Sequence, residues 1–146
     1  MTTPRTIDTH NLNAASLQEI YDFIAHHLLT QNRKSMTDLL GVRCAYRGDD
    51  DCKCAAGAVI HDDHYSPSFE GRTWRGVSSD IPTLNDYTHY EVYMAARYQL
   101  TLVVDMQRLH DKTDVNTWPM ELVSLAVLRG LRPYSLPVQP AHSPTP

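Results

Sequence analysis

The fold turns on residues 42–60, Val42-Arg43-Cys44-Ala45-Tyr46-Arg47-Gly48-Asp49-Asp50-Asp51-Cys52-Lys53-Cys54-Ala55-Ala56-Gly57-Ala58-Val59-Ile60. Val42, Cys44 and Tyr46 alternate with Arg43, Ala45 and Arg47, the period of a strand with one face covered. Gly48-Asp49-Asp50-Asp51 reads as a turn, because Gly accepts positive φ and Asp side chains bond their own backbone. Cys52-Lys53-Cys54 resumes the alternation, so the stretch predicts a short β-hairpin. Ala55 to Ile60 is small and apolar. Periodicity leaves it open as a strand extension or a buried helical turn.

Upstream, Ser16-Leu17-Gln18-Glu19 is a capping box, in which the Ser oxygen and the Glu carboxylate each satisfy an amide of the other residue. Leu17, Ile20, Ile24 and Leu28 follow at helical spacing, predicting a helix over 16–31. Downstream, Thr88-His89-Tyr90-Glu91 is a second box. Val92, Ala95, Ala96, Gln99, Val103, Met106 and Leu109 continue it as a long helix over 89–111. A third helix is expected from Asn116 or Thr117, with Pro119 in its first turn and Gly130 just past its end. Residues 62–87 hold Pro67, Gly71, Gly76 and Pro82 without a sustained period and read as a long irregular loop. Residues 1–15 read as a flexible lead-in. Residues 133–146, with five prolines, read as an extended, disordered tail. The expectation is therefore a single α+β domain over 16–132: three main helices packed with a small β-hairpin.

Composition narrows the function. The chain has 146 residues, 42 % apolar and 21 % charged, which is ordinary for a globular domain. Its net charge of −4 argues against generic nucleic-acid binding. No apolar run approaches the ~18 residues of a membrane helix. The opening Met-Thr-Thr-Pro-Arg carries no apolar signal region, so a cytoplasmic, non-membrane protein is expected. Three cysteines, an odd number, do not suggest a disulfide framework.

Several of these residues are familiar together: Leu17-Gln18-Glu19-Ile20-Tyr21-Asp22, Cys44-Ala45-Tyr46-Arg47-Gly48, Lys53-Cys54-Ala55-Ala56-Gly57-Ala58-Val59-Ile60, Tyr65, Glu70-Gly71 and Leu109-His110-Asp111 with Trp118. The pattern Cys-x-Tyr-Arg-Gly, then Lys-Cys-Ala-x-Gly-x-x-Ile, then Glu-Gly resembles a group of small uncharacterised proteins of bacteriophages, prophages and bacteria. The likeness covers about residues 17–71 and 102–128. The chain departs from that pattern with His61 where Pro is common and Ala58 where a second Cys is common. The resemblance implies a phage-type origin and the cytoplasm of a bacterial host.

Four constellations bear chemistry. Cys44, Cys52, Cys54, His61 and His64 are of the residue types that hold Zn²⁺, although Cys-x-Cys is not the usual knuckle and core packing is the favoured account of the cysteines, so the leading expectation is no metal. His61-Asp62 and His110-Asp111 are adjacent His-Asp pairs, the ligand pairing of metal-dependent phosphohydrolases. Cys54, preceding a small apolar stretch, is a candidate nucleophile if that stretch is helical. His61, His64 or His110 would then be its base, and Asp62, Asp105 or Asp111 the orienting group. Tyr65 to Gly76 interleaves aromatics and arginines, and Phe69, Arg72, Trp74 and Arg75 have the composition of a binding hot spot. Equally, the aromatics can pin the loop to the core.

No Gly-rich phosphate loop or nucleophile elbow is present. The leading expectation is a non-enzymatic accessory protein that binds and modulates or inhibits a host protein, in host takeover or counter-defence. The alternative is a small hydrolase or metal-stabilised module built around Cys54, His61, His110 and Asp111.

Overall fold

Helix α1, Leu17–Gln31, begins as its sequence requires. Ser16 Oγ accepts the Glu19 N–H at 3.1 Å, and the Glu19 carboxylate accepts the Ser16 N–H at 3.0 Å. It ends at Asn32, whose left-handed backbone (φ 52°) returns its N–H to the Leu28 carbonyl. Ile20, Tyr21, Ile24, Ala25 and Leu28 form its buried stripe. The computed structural model describes residues 3–38, 43–85 and 89–137.

The following elements are strands β1 (Met36–Thr37) and β2 (Arg43–Cys44), then helices α2 (Ala55–Val59), α3 (Trp74–Ser79), α4 (Tyr90–Lys112) and α5 (Trp118–Leu128). The short α2 packs between α1 and α4, α5 lies against both long helices, and α3 rests on α4. The molecule is predominantly helical. Leu28, Ala55, Val59, Leu102, Met106, Trp118 and Leu122 meet in the core, all fully buried. Pro119 sits in the first turn of α5, and Gly130 takes φ +68° just beyond its end. Thr88, expected as the cap of α4, lies outside the described residues.

The hairpin expected over 42–54 is not formed as such. Its first arm pairs upstream instead: β2 runs antiparallel to β1, with Cys44 opposite Met36. Between its two expected arms only a single bridge, Arg47 to Lys53, closes the turn, supported by Gly48 N–H to the Cys52 carbonyl at 2.9 Å. An alternating pattern specifies a covered face and not which neighbour covers it, and here residues 35–37 take that place. Gly48 is needed for that approach, since a Cβ there would stand 2.6 Å from the Met36 carbonyl oxygen. The left-handed turn residues are Asp50 and Asp51, at φ 57° and 59°.

Residues 55–60, open from sequence, resolve as the helix α2. Its N-cap is Cys54, whose sulfur accepts the Gly57 N–H at 3.3 Å. The Lys53 peptide before it is held on both sides. Gln31 Oε1 accepts its N–H at 2.9 Å, while Gln31 Nε2 and His27 Nε2 donate to its carbonyl at 3.0 and 2.8 Å.

Two further expectations are corrected. The lead-in is packed: Ile7 and Leu12 are fully buried, and the 3₁₀ turn Leu12–Ala14 lies on α4, where Gln99 Nε2 donates to Asn13 Oδ1 at 3.0 Å. Of the span 62–87, the described part, residues 62–85, is not structureless. It holds 3₁₀ turns at Pro67–Phe69 and Pro82–Leu84 around α3, whose N-cap Thr73 accepts the Gly76 N–H. At the other end, Tyr134 N–H donates to Tyr21 Oη at 3.2 Å, and Tyr21 Oη–H donates to the Leu122 carbonyl at 2.9 Å, so the chain is tied down past residue 133. The rest of the Pro-rich tail, 138–146, lies outside the described residues.

Candidate functional site

A cleft of about 620 Å³ opens between α4 and residues 71–75, with Cys54 and Tyr46 lining it. Its position follows from the motif residues. The Glu70 carboxylate accepts the backbone N–H groups of Tyr46 and Arg47, each at 3.1 Å, and the Tyr65 hydroxyl at 3.1 Å. Tyr46 Oη donates to the Arg72 carbonyl at 2.6 Å, and Gly71 turns the chain at φ +80°. Arg47 stacks over the Tyr65 ring at 4.1 Å and pairs with Asp62 at 2.7 Å. Together these contacts fasten the segment 65–72 to residues 46–47 and set one wall of the cleft. The pattern Tyr-Arg-Gly with Glu-Gly is thus a fold-forming device.

The opposite wall is one face of α4, where Gln107 and Asp111 stand four residues apart. Gln107 Oε1 accepts the Ala56 N–H at 2.9 Å, and Gln107 Nε2 donates to Asp111 Oδ1 at 2.8 Å. The same carboxylate oxygen accepts His110 Nδ1–H at 2.8 Å. His110 Nε2 accepts the Ser35 N–H at 3.0 Å, which places the imidazole proton on Nδ1. The His110 ring is fully buried and packs beside Trp118. Burial opposes ionisation of Asp111, but the hydrogen bonds from His110, Gln107 and Cys44 outweigh it and hold the carboxyl below its ordinary range. Asp111 is therefore a carboxylate at neutral pH, held by donors from His110, Gln107 and Cys44.

The thiols lie in the opposite regime. Burial pushes Cys54 well above its ordinary value, against the donors Gly57 N–H and Gln107. Burial and then the Asp111 charge push Cys44 up to about 11. Both are protonated thiols at neutral pH, whereas nucleophilic or ligating sulfur is thiolate. Cys52 is buried, its carbonyl taken by Gly48 N–H and Ser35 Oγ–H.

The sequence candidates thus separate. Cys44, His110 and Asp111 come together, with potential ligand atoms within 4.8 Å of one another. Both His110 nitrogens are already committed, so this is a closed hydrogen-bonded group. Neither Cys52 nor Cys54 joins a potential metal grouping among the described residues. His61 and His64 lie with His10, not with Cys54. The two His-Asp pairs belong to different clusters.

In the aromatic-arginine segment, Phe69 and Trp74 are 6 % and 2 % exposed, so both rings are core residues that pin the loop. Arg72 and Arg75 are exposed beside the cleft. Arg72 pairs with Asp80 at 2.8 Å. Arg75 makes no ion pair among the described residues. Arg108 and Lys112 of α4 face the same cleft, so four cations and Asp111 line it, although Arg72 is paired with Asp80 and Arg108 lies 3.7 Å from Asp105. Arg108 and Lys112 were not singled out from sequence. Arg108 and Lys112 stand four residues apart, as Gln107 and Asp111 do, and that repeated i, i+4 spacing is the signal that would have grouped them on α4.

Among the described residues no helix is long and apolar enough to cross a membrane. Comparison with family models, with curated proteins and with solved structures finds no match to this chain.

Proposed function

We propose that this chain is a small binding protein of the phage-type accessory kind, which engages an acidic surface of a host protein through the cleft between α4 and residues 71–75. The observation that carries this reading is the concentration of Arg72, Arg75, Arg108 and Lys112 around one cleft of an otherwise acidic chain. Exposed guanidinium groups grip carboxylates bidentately and supply much of the energy of binding hot spots. The contact set is Arg72, Arg75, Arg108 and Lys112, with Trp74 and Phe69 holding Arg72 and Arg75 in place from beneath. Such an interaction would modulate or inhibit the host protein by covering its acidic face.

The test is affinity capture from bacterial lysate, with a partner identified and then purified. Direct binding to that partner should weaken at least tenfold in Arg75→Glu/Lys112→Glu and weaken with rising salt. Capture that is indifferent to both changes overturns this reading.

A second reading rests on one observation, Cys54 at the cleft beside Gln107. A cysteine hydrolase there would need Cys54 as thiolate and a facing base. Burial of Cys54 and the commitment of both His110 nitrogens oppose it. Rapid stoichiometric labelling of native Cys54 by iodoacetamide at neutral pH would favour it.

A further inference from the structure

Away from the cleft, a second group of side chains joins the start of the chain to the turn that follows α2. The Asp63 Oδ2 atom lies 3.6 Å from His10 Nε2 and 3.5 Å from His61 Nδ1. The two imidazole rings meet edge to face with centroids 4.4 Å apart. All three potential ligand atoms lie within 4.8 Å of one another.

These separations are informative. They are longer than N–H···O hydrogen bonds, which run to about 3.2 Å. They match the edge of a tetrahedron built on metal–ligand bonds of about 2.0–2.2 Å, which is roughly 3.3–3.6 Å. Protonation also fits. His61 Nδ1 accepts the Asp63 N–H at 3.0 Å, so it is the unprotonated nitrogen, the form a metal takes. Metal binding exchanges that hydrogen bond for a metal bond.

The scaffold behind the three is fixed. Thr9 is 1 % exposed, and its Oγ1 accepts the His61 N–H at 3.0 Å and bonds His64 Nδ1 at 2.6 Å. The residues next to His10 and Asp63 are therefore locked to each other without any metal. The rings themselves face solvent, with 47 % of the His10 side chain and 36 % of the His61 side chain exposed, so an ion has a path in.

We propose that His10, His61 and Asp63 form a binding site for a borderline divalent transition metal of the zinc class. Two imidazoles and one carboxylate select such ions over Mg²⁺ and Ca²⁺, which take oxygen ligands. Three protein ligands leave the fourth tetrahedral position to water. Bound there, the ion staples the segment before α1 to the turn after α2. This site shares no residue with the cleft and stands or falls independently of it.

The experiment titrates tag-free, full-length protein with ZnCl₂ by calorimetry and with CoCl₂ by absorbance. Wild type should take up one ion per chain, with a rise in melting temperature. Binding should weaken at least tenfold in His10→Ala and in Asp63→Asn, both exposed side chains whose variants keep the fold by circular dichroism. It should be unchanged in Cys44→Ser. The Co²⁺ spectrum should show ligand-field bands without a sulfur charge-transfer band. Absence of stoichiometric uptake, uptake that survives His10→Ala, or a sulfur charge-transfer band overturns the proposal.

Discussion

Gly57 lies directly against the carbonyl of Tyr46: a Cβ on Gly57 would stand closer to that oxygen than any real contact allows. The obstacle is backbone, which cannot swing aside as a side chain can. Gly57→Ala should therefore destabilise the protein by about 1–3 kcal/mol or more, as overpacking of a tight interior does. Gly76, in α3, is the contrast. Its added Cβ would meet only side-chain atoms at 3.6 Å or beyond. Gly76→Ala should stabilise by about 0.4–1 kcal/mol through the unfolded chain. Urea denaturation of the two variants reads both signs.

The Glu70 carboxylate serves three donors, the Tyr46 and Arg47 amides and the Tyr65 hydroxyl. Glu70→Gln keeps the shape but replaces one acceptor oxygen by a donor. It should cost about 0.5–1.5 kcal/mol, the worth of a hydrogen bond lost at a half-buried position. Glu70→Ala, which removes both oxygens, should cost more and loosen residues 65–72, read as increased amide exchange there.

Removing residues 1–15 should strongly destabilise the domain. Ile7 and Leu12 are completely buried, and truncating one such side chain costs about 2–5 kcal/mol. Ile7→Ala and Leu12→Ala should each show a loss of that size in chemical denaturation. A truncated chain as stable as the intact one would contradict the packing of this segment.

Acid should weaken the fold in two steps. Burial of His27, against its hydrogen bond to the Lys53 carbonyl, holds its folded pKa below the ordinary 6.5. The unfolded chain then takes up the proton first, so the stability it contributes is present above 6.5 and lost as pH falls below it. Asp111, held below its ordinary 3.8, adds a second loss as pH falls from 3.8 through its folded value. Stability of wild type and His27→Gln measured between pH 7 and 5 should differ in slope, with the variant flatter.

Alkali should act on the thiols in the same spirit. Cys44 rises from 9.0 to about 11 in the folded state, and burial moves Cys54 the same way. Their contribution to stability is full below 9.0 and declines as pH rises toward the folded values, because the unfolded thiols ionise first. Alkylation followed by mass spectrometry at pH 7.5 should find both thiols protected in the native protein and labelled in denaturant.

The long elements were legible because their signals are local. The Ser16–Glu19 box and the Leu17–Leu28 spacing place α1 to within a residue, and Pro119 and Gly130 bracket α5. The errors lie where the deciding partner is remote. Cys44 alternates as a strand residue should, but nothing in residues 42–54 indicates that Met36 will be its neighbour. Ile7 and Leu12 are too few to show a period, and α3 at six residues is shorter than two helical turns. The cleft was half visible, through Arg72 and Arg75. The other half came from a helix face whose charged residues resemble any solvated surface. His10 and His61 are brought together by the Thr9 contact to the turn after α2, a tertiary fact with no trace in spacing.

The double hydrogen bond between the Gln31 side chain and the Lys53 peptide has a consequence for self-association. A side-chain amide presents the same donor and acceptor as a backbone unit, so here a residue of α1 stands in for a missing strand. The outer edge of the Arg47–Lys53 bridge is already occupied at that point, and a second chain cannot add to it by backbone pairing. Gln31→Ala would free the Lys53 N–H while His27 still holds the carbonyl, and the expected phenotype is a rise in aggregation on heating that exceeds the loss of stability, larger when His27 is replaced as well.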